Sequence, residues 1–493
     1  MRYQSTRNHS ISVTPQEAVL HGLAEDGGLF VPSEPLPLLK SEDYLNKSYQ
    51  DTAQNVLSIL LDGYSKDELH RSITSAYDTR FNSTDIVPLT KVSDGWLMEL
   101  WHGPTSAFKD IALTILPHLL SEAYGEKGRD DTIAILTATS GDTGKAALSG
   151  FADVPHTAIT VFYPSDGVSE IQKLQMQTSR GNNVMVVAVR GNFDDCQRMV
   201  KEACRSKAVL NACHHVTISS ANSINIGRLA PQVVYYFTSY SKLVSNGTIQ
   251  AGDPVNFVVP TGNFGDILAG YLAKKMGLPV KRLICASNSN HVLTDFLNTG
   301  TYSVHRPFHL TMSPSMDILI SSNLERLLYF ESKDDSFAAS CMEQLKNEGS
   351  YTIPEDMLKN IRSIFSGYWT DEESCRKEIR TLFENEHVLI DPHTAVAYHA
   401  MHEYQKETGD QIPCIVLSTA SPYKFAKDVL SCISSQVPED PFAAMQKLSS
   451  LSNTEIPAGL AELKDLPIRF HTVIEKQGGI SFITKRMEEL SHD

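Results

Sequence analysis

The chain has 493 residues, 43 of them basic and 58 acidic, which gives a formal net charge of −15. That excess of acid argues against nucleic acid or an anionic membrane as partner, so a small anionic substrate has to be held by locally placed donors. The eight cysteines show no Cys-x-x-Cys and no Cys/His ligand spacing, the N-terminus is polar where a signal peptide is apolar, and no run approaches the ~18 apolar residues of a membrane span. The expectation is a cytoplasmic protein without a metal site, long enough for roughly two to four domains; nothing in the sequence sets its oligomeric state.

Residues 1–85 lack a repeated strand-to-helix alternation and carry helical segments such as 51–63, which predicts a mainly helical N-terminal domain. Inside it, the stretch 22–32 with its adjacent glycines Gly27 and Gly28 reads as a helix stop followed by a turn. From about residue 88 the pattern alternates. Strands are expected at 132–137, 158–163, 184–189, 215–218, 255–259, 282–286 and 414–417, and helices at 169–178, 193–204, 226–244 and 266–276. Short β-branched runs separated by helices predict an α/β fold of parallel sheets covered on both faces. In such folds ligands gather beyond the C-terminal ends of the strands. The stretch 300–405 reads as mostly helix and loop.

One lysine stands apart. In His-Gly-Pro-Thr-Ser-Ala-Phe-Lys-Asp (102–110), Lys109 follows a Gly-Pro turn and heads a helical row that continues through Leu113, Leu116 and Leu120. An amine drawn toward an apolar interior loses proton affinity and becomes a nucleophile or base, as a Schiff-base lysine requires. The plain alternative is a surface lysine whose stem lies along the core.

Three loops lie where the strand rule directs attention. Thr-Ala-Thr-Ser-Gly-Asp-Thr-Gly-Lys (137–145) offers free N–H groups and hydroxyls to a carboxylate or phosphate; it is not a P-loop, because Thr139 stands where the first glycine belongs and Ala146 where the magnesium-binding hydroxyl belongs. Pro-Thr-Gly-Asn-Phe-Gly-Asp (260–266) has two glycines three apart, which lets backbone N–H groups converge on a tetrahedral anion. Ser-Ala-Asn-Ser-Ile-Asn-Ile-Gly-Arg (220–228) sets Asn222, Ser223 and Asn225 near a helix start, with the Arg228 fork on the same side. Each is also compatible with an ordinary capped helix start. After the last strand, Ser418 and Thr419 present hydroxyls suited to a ring nitrogen.

A semi-buried lysine, two anion loops and a carboxylate-sized loop describe a site for a phosphate-bearing aldehyde cofactor and an amino acid. The combination of these four motifs with Tyr-x-Ser-Thr-Arg (3–7), Asp-Gly-Gly-Leu-Phe-Val-Pro (26–32) and Gly-Asn-Phe-Asp-Asp (191–195) resembles the threonine synthase family, in the branch with an extended N-terminal domain. The resemblance spans nearly the whole chain. It implies a pyridoxal 5'-phosphate enzyme of fold type II, tryptophan synthase β-like: two doubly wound parallel-sheet domains behind the helical N-terminal one. The catalytic core would run over 86–440, with a smaller subdomain at about 100–245 and the larger one in the remainder, and 441–493 would pack on it.

The implied reaction is O-phospho-L-homoserine plus water to L-threonine and phosphate. By motif match Lys109 would carry the cofactor covalently, Gly262, Asn263, Phe264, Gly265 and Asp266 would hold its phosphate, Thr419 would meet its pyridine nitrogen, and Asp142 would lie near its ring. Thr139, Ser140 and Thr143 would bind the substrate carboxylate, and Asn222, Ser223 and Arg228 the substrate phosphate. Two departures from the wider pattern stand out: Asp142 where some relatives carry Asn, and Ser421 where the branch often has His. The rival implied by the same resemblance is a phospho-lyase that releases 2-oxobutyrate and ammonia, and a rival of another class is a non-catalytic ligand-binding regulator.

Overall fold

A computed structural model describes residues 1–125, 131–139, 141–165 and 168–491. Ser140, one of the expected carboxylate ligands, lies outside them.

The N-terminal region opens with strands β1 (Tyr3–Ser5), β2 (Ser12–Val13) and β3 (Phe30–Pro32), which form a small antiparallel sheet in the order β2-β1-β3. Helices Pro15–His21, Tyr49–Leu60 and Lys66–Ala76 and the short turn Ser41–Asp43 complete this region beside the three-stranded sheet. Thr14/Glu17 and Ser65/Glu68 close capping boxes at two of these helices. The first helix stops at Gly22, whose φ of 68° is a left-handed cap, as the sequence suggested.

Strands β4 (Leu89–Val92) and β5 (Gly95–Glu99) come next, then β6 (Thr132–Ala138), β7 (Thr157–Pro164), β8 (Val184–Arg190) and β9 (Val216–Ser219). They are followed by β10 (Val255–Pro260), β11 (Val280–Ser287), the short pair β12 (Thr301–Ser303) and β13 (Ser350–Thr352), then β14 (Phe365–Trp369), β15 (Cys414–Ser418) and β16 (Val473–Glu475). The larger sheet has the order β14-β11-β10-β15-β5-β4, parallel except for β4. The smaller, β16-β8-β7-β6-β9, is parallel throughout. Strand β7 is buried at all eight positions, which is the mark of a strand covered on both faces.

Two findings differ from expectation. The stretch 300–405 is not only helix and loop: it supplies β14, an edge strand of the larger sheet, and the β12–β13 pair. The C-terminal segment does more than pack on the core, since β16 extends the smaller sheet and the helix Gly479–Leu490 covers the helices Phe193–Ala203 and Lys207–Ala212.

Two helices, Lys109–Gly125 and Ile226–Ser245, are buried on nearly every side and join the N-terminal helices to both sheets in one continuous core. Their close packing depends on small residues: at Gly150 of the helix Asp142–Phe151, a Cβ would fall 1.9 Å from the Leu113 carbonyl oxygen. No helix among the described residues is long and apolar enough to cross a membrane. The segments that follow β5, β6, β9, β10 and β15 are five C-terminal ends of parallel strands, where a ligand belongs.

Candidate active site

The segment after β5 is held to the segment after β15. Leu100 N–H donates to the Ser418 carbonyl at 2.9 Å, Phe108 N–H to the Thr419 carbonyl at 2.8 Å, and Ala107 and Ala420 form a β-bridge. Between them lies the Gly-Pro turn. Asp110 folds back to accept from Thr105 N–H at 2.8 Å and Thr105 Oγ1 at 2.6 Å, and Gly103 must lack a side chain because a Cβ would sit 2.5 Å from Asp110 Cβ. Lys109 therefore opens its helix from a fixed loop, beside Thr419. Burial pulls its amine down to about 8; Lys424 and Arg228 push the same way, against Asp142 and Asp110. A solvated surface lysine would show no such shift.

The loop after β10 is a cradle of donors. Its carbonyls face a brace: Ser321 Oγ donates to Gly262 O at 2.8 Å, and Asn323 donates to Asn263 O through both its backbone N–H (3.0 Å) and its side chain (3.1 Å). Phe264 adopts a left-handed φ of 59° as an N-cap with no side-chain hydrogen bond. The N–H groups of Gly262, Asn263, Phe264, Gly265 and Asp266 make no hydrogen bond among the described residues, so five successive donors stand ready at the start of the helix Gly265–Lys275. Asp266 turns inward to the hydroxyls of Tyr235 and Tyr236, with one carboxylate oxygen unpartnered among the described residues, and burial raises its pKa to about 6 against those hydrogen bonds.

In the loop after β6, the Thr139 hydroxyl accepts from the N–H groups of Gly141 (3.1 Å) and Gly144 (3.0 Å). These bonds shape the loop, and the same hydroxyl donates to the Gly141 carbonyl at 3.3 Å. Among the described residues Thr143 makes no such internal bond. Asp142 is paired: its Oδ1 lies 2.7 Å from Lys424 Nζ and accepts from Gln172 at 3.3 Å. Burial alone would raise its pKa, but Lys424 and Lys109 hold it well below the usual carboxylate range.

The loop after β9 is anchored by Asn225, whose amide donates to Val19 O and Ser220 O at 2.9 Å each, so this asparagine ties the loop to the N-terminal domain. Asn222 is exposed and Ser223 half-buried. Arg228 is buried with one hydrogen bond, from a terminal guanidinium nitrogen to Ala221 O at 3.0 Å; its Nε has no partner and no carboxylate forms an ion pair with it among the described residues. Burial lowers its pKa to about 10. A buried guanidinium left this way retains donors suited to an anion.

Three residues escaped the sequence reading. Lys424 donates to Asp142 and, at 3.0 Å, to Thr105 O. Arg326, fully buried, links Phe30 O (3.0 Å), Ile224 O (2.6 Å) and the side chain of Asn323. His393 is held by Asp391 at 2.5 Å and accepts from Ser315 N–H at 3.2 Å, steadying the strand of chain that abuts Gly262. Of the two hydroxyls after β15, Ser418 is engaged by Trp101 and Thr394, both at 3.2 Å, whereas Thr419 makes no side-chain hydrogen bond among the described residues. Gly-Asn-Phe-Asp-Asp (191–195) is a capping box between Asn192 and Asp195, and Asp195 also meets Lys476 of the C-terminal segment.

An amine of lowered proton affinity, five unengaged N–H groups and a free hydroxyl suit a group that brings an aldehyde, a phosphate and a ring nitrogen. Comparison with known proteins agrees. Residues 79–419 match the family model of pyridoxal-phosphate dependent enzymes, 2–77 the threonine synthase N terminus and 394–480 the threonine synthase C-terminal model. Threonine synthase of Schizosaccharomyces pombe is 39% identical over 467 residues, covering 88% of this chain and 89% of its own. Human threonine synthase-like 1 is 38% identical over 433 residues, covering 85% of this chain, and this chain spans only 58% of that relative's length. The crystal structure of pyridoxal-phosphate-bound threonine synthase from Brucella melitensis superposes with a TM-score of 0.88 at 35% identity over 100% of both chains, and that of the yeast enzyme with 0.88 at 32% over 99% and 98%. The chain belongs to the threonine synthase family of pyridoxal-phosphate-dependent enzymes, fold type II.

Proposed function

We propose that this protein is a threonine synthase that converts O-phospho-L-homoserine and water to L-threonine and phosphate in the cytoplasm, with the core at 86–440 flanked by the N-terminal domain 1–85 and the segment 441–493. The observation that carries this reading is the pairing of two unengaged anion sites, the 262–266 cradle and Arg228, around one lysine of lowered proton affinity. One suits the cofactor phosphate and the other the substrate phosphate. The eight free thiols suit a reducing compartment.

In this reading Lys109 carries the cofactor, Gly262, Asn263, Phe264, Gly265 and Asp266 bind its phosphate, and Thr419 meets its ring nitrogen. Pyridoxal phosphate supplies an electron sink for charge developing on the substrate carbon skeleton. Lys109, unprotonated near neutral pH for an appreciable part of the time, takes the proton from Cα and then from Cβ. Thr143, Ser140 and the N–H groups around Thr139 hold the substrate carboxylate at the start of the helix Asp142–Phe151. Arg228, Asn222 and Ser223 hold the γ-phosphate and stabilise it as it departs from Cγ. A proton is then returned to Cγ, water supplies the hydroxyl at Cβ, and a proton returned to Cα completes threonine. Closing the two sheets over the site would exclude the bulk water that otherwise diverts the substrate to 2-oxobutyrate.

Incubation with O-phospho-L-homoserine followed by product identification tests this reading. Threonine and phosphate in equal amounts are expected; 2-oxobutyrate and ammonia as the main products would make the protein a phospho-lyase instead.

A further inference from the structure

The charges that face the Lys109 amine are unequal in state. Asp110, on its own helix, is engaged by Thr105 and raised in pKa by burial, and Asp266, on the helix after β10, is raised to about 6. Asp142, on the helix after β6, is the acid held firmly ionised. Two cations face the amine, Arg228 and Lys424, and His393 also faces Asp142, while Lys145 faces Lys424. Left alone, an ionised Asp142 in this low-dielectric setting would hold a proton on Lys109 and work against the chemistry the lysine has to do.

Lys424 prevents that by its position. It lies on the short turn Pro422–Phe425 after β15 of the larger sheet, while Asp142 opens the helix after β6 of the smaller one. The Nζ–Oδ1 distance is 2.7 Å and the two side chains are 1% and 4% exposed. Its second hydrogen bond, 3.0 Å to Thr105 O, reaches the very loop that presents Lys109. One ammonium thus ties together three of the segments that build the site. The pair also gives a reason for an aspartate, and not a neutral asparagine, at 142: the charge is matched.

We propose that Lys424 is a positioning residue, which neutralises Asp142 from the opposite sheet and so keeps that carboxylate from stabilising a proton on Lys109. The proposal rests on the reading of Lys109 as the cofactor-bearing lysine.

The test is competitive labelling of Lys109 by acetic anhydride in the cofactor-stripped full chain, followed over pH by peptide mass spectrometry. Lys424→Gln is expected to raise the labelling midpoint by about one pH unit or more, because the uncompensated carboxylate favours the ammonium form. Lys424→Arg should stay near the wild type. Asp142→Asn should lower the midpoint, since a cation remains without its anion, and the double variant Asp142→Asn/Lys424→Gln should return toward the wild type. An unmoved midpoint in Lys424→Gln overturns the proposal. Should that variant not fold, an unmoved midpoint in Asp142→Asn does so equally. Borohydride treatment of the cofactor-loaded wild type separates the two readings: no adduct at Lys109 removes both, whereas an adduct there with unmoved midpoints removes only the role of Lys424.

Discussion

Arg228 and Arg326 are both buried arginines, and burial lowers the pKa of each to about 10. Their hydrogen bonds separate them. Arg326 reaches two carbonyls and the Asn323 side chain, joining the N-terminal domain, the loop after β9 and the brace of the 262–266 cradle. Among the described residues Arg228 reaches one carbonyl and leaves Nε unpartnered. Burial costs both residues alike, but only the first recovers that cost within the protein. The second has donors to spare, so the hydrogen-bond inventory, more than depth, sets Arg228 apart as the arginine proposed to hold an anion.

Substitution should pull the two apart. Arg228→Ala is expected to cost the phosphorylated substrate about 3–4 kcal/mol, seen in kcat/KM, with little change in unfolding free energy. An equal loss for an unphosphorylated analogue would remove Arg228 from the phosphate role. Arg326→Met should do the reverse, lowering unfolding free energy by about 2–3 kcal/mol in denaturant titration because two carbonyls and an amide oxygen lose their donor. If it unfolds no more easily than Arg228→Ala, the distinction fails.

Asp266 sharpens the same contrast through pH. Its folded-state pKa is raised from 3.8 to about 6, so its contribution to stability is complete below about 3.8 and is lost as pH rises through about 6. In the cofactor-stripped chain the wild type should therefore lose about 2 kcal/mol relative to Asp266→Asn between pH 4 and 7. A difference independent of pH would contradict this. The smallest effect is expected at the exposed rim: Asn222→Ala should cost about 1 kcal/mol in substrate affinity, measured as KM for O-phospho-L-homoserine.

The contrast also explains what could be read from the sequence. The loops after β6, β9 and β10 were legible because each is a strand, a polar turn and a helix start in one contiguous stretch, and Lys109 because its turn and its helical row adjoin. Arg228 was legible as part of such a stretch. Lys424 and Arg326 were not, since their partners Asp142 and Ile224 come from distant parts of the chain and such pairing leaves no local pattern; His393 was not because, although Asp391 adjoins it, its contact with Ser315 is equally remote in sequence. Strand β14 escaped for a related reason: Phe365–Trp369 follows a helix without a turn signal and has a glycine at its centre, so only its pairing with β11 makes it a strand. Thr139 shows another limit: the motif marks the loop, but the bonds its hydroxyl makes with Gly141 and Gly144 exist only in the folded turn.

The central claim is that Lys109 is the residue joined to pyridoxal phosphate, and reduction with borohydride followed by peptide mapping tests it most directly. The account predicts a cofactor adduct on the peptide containing Lys109 and none in Lys109→Ala, whose kcat should fall by about a thousandfold or more. An adduct on another lysine, or a fully active protein with no adduct, would contradict it.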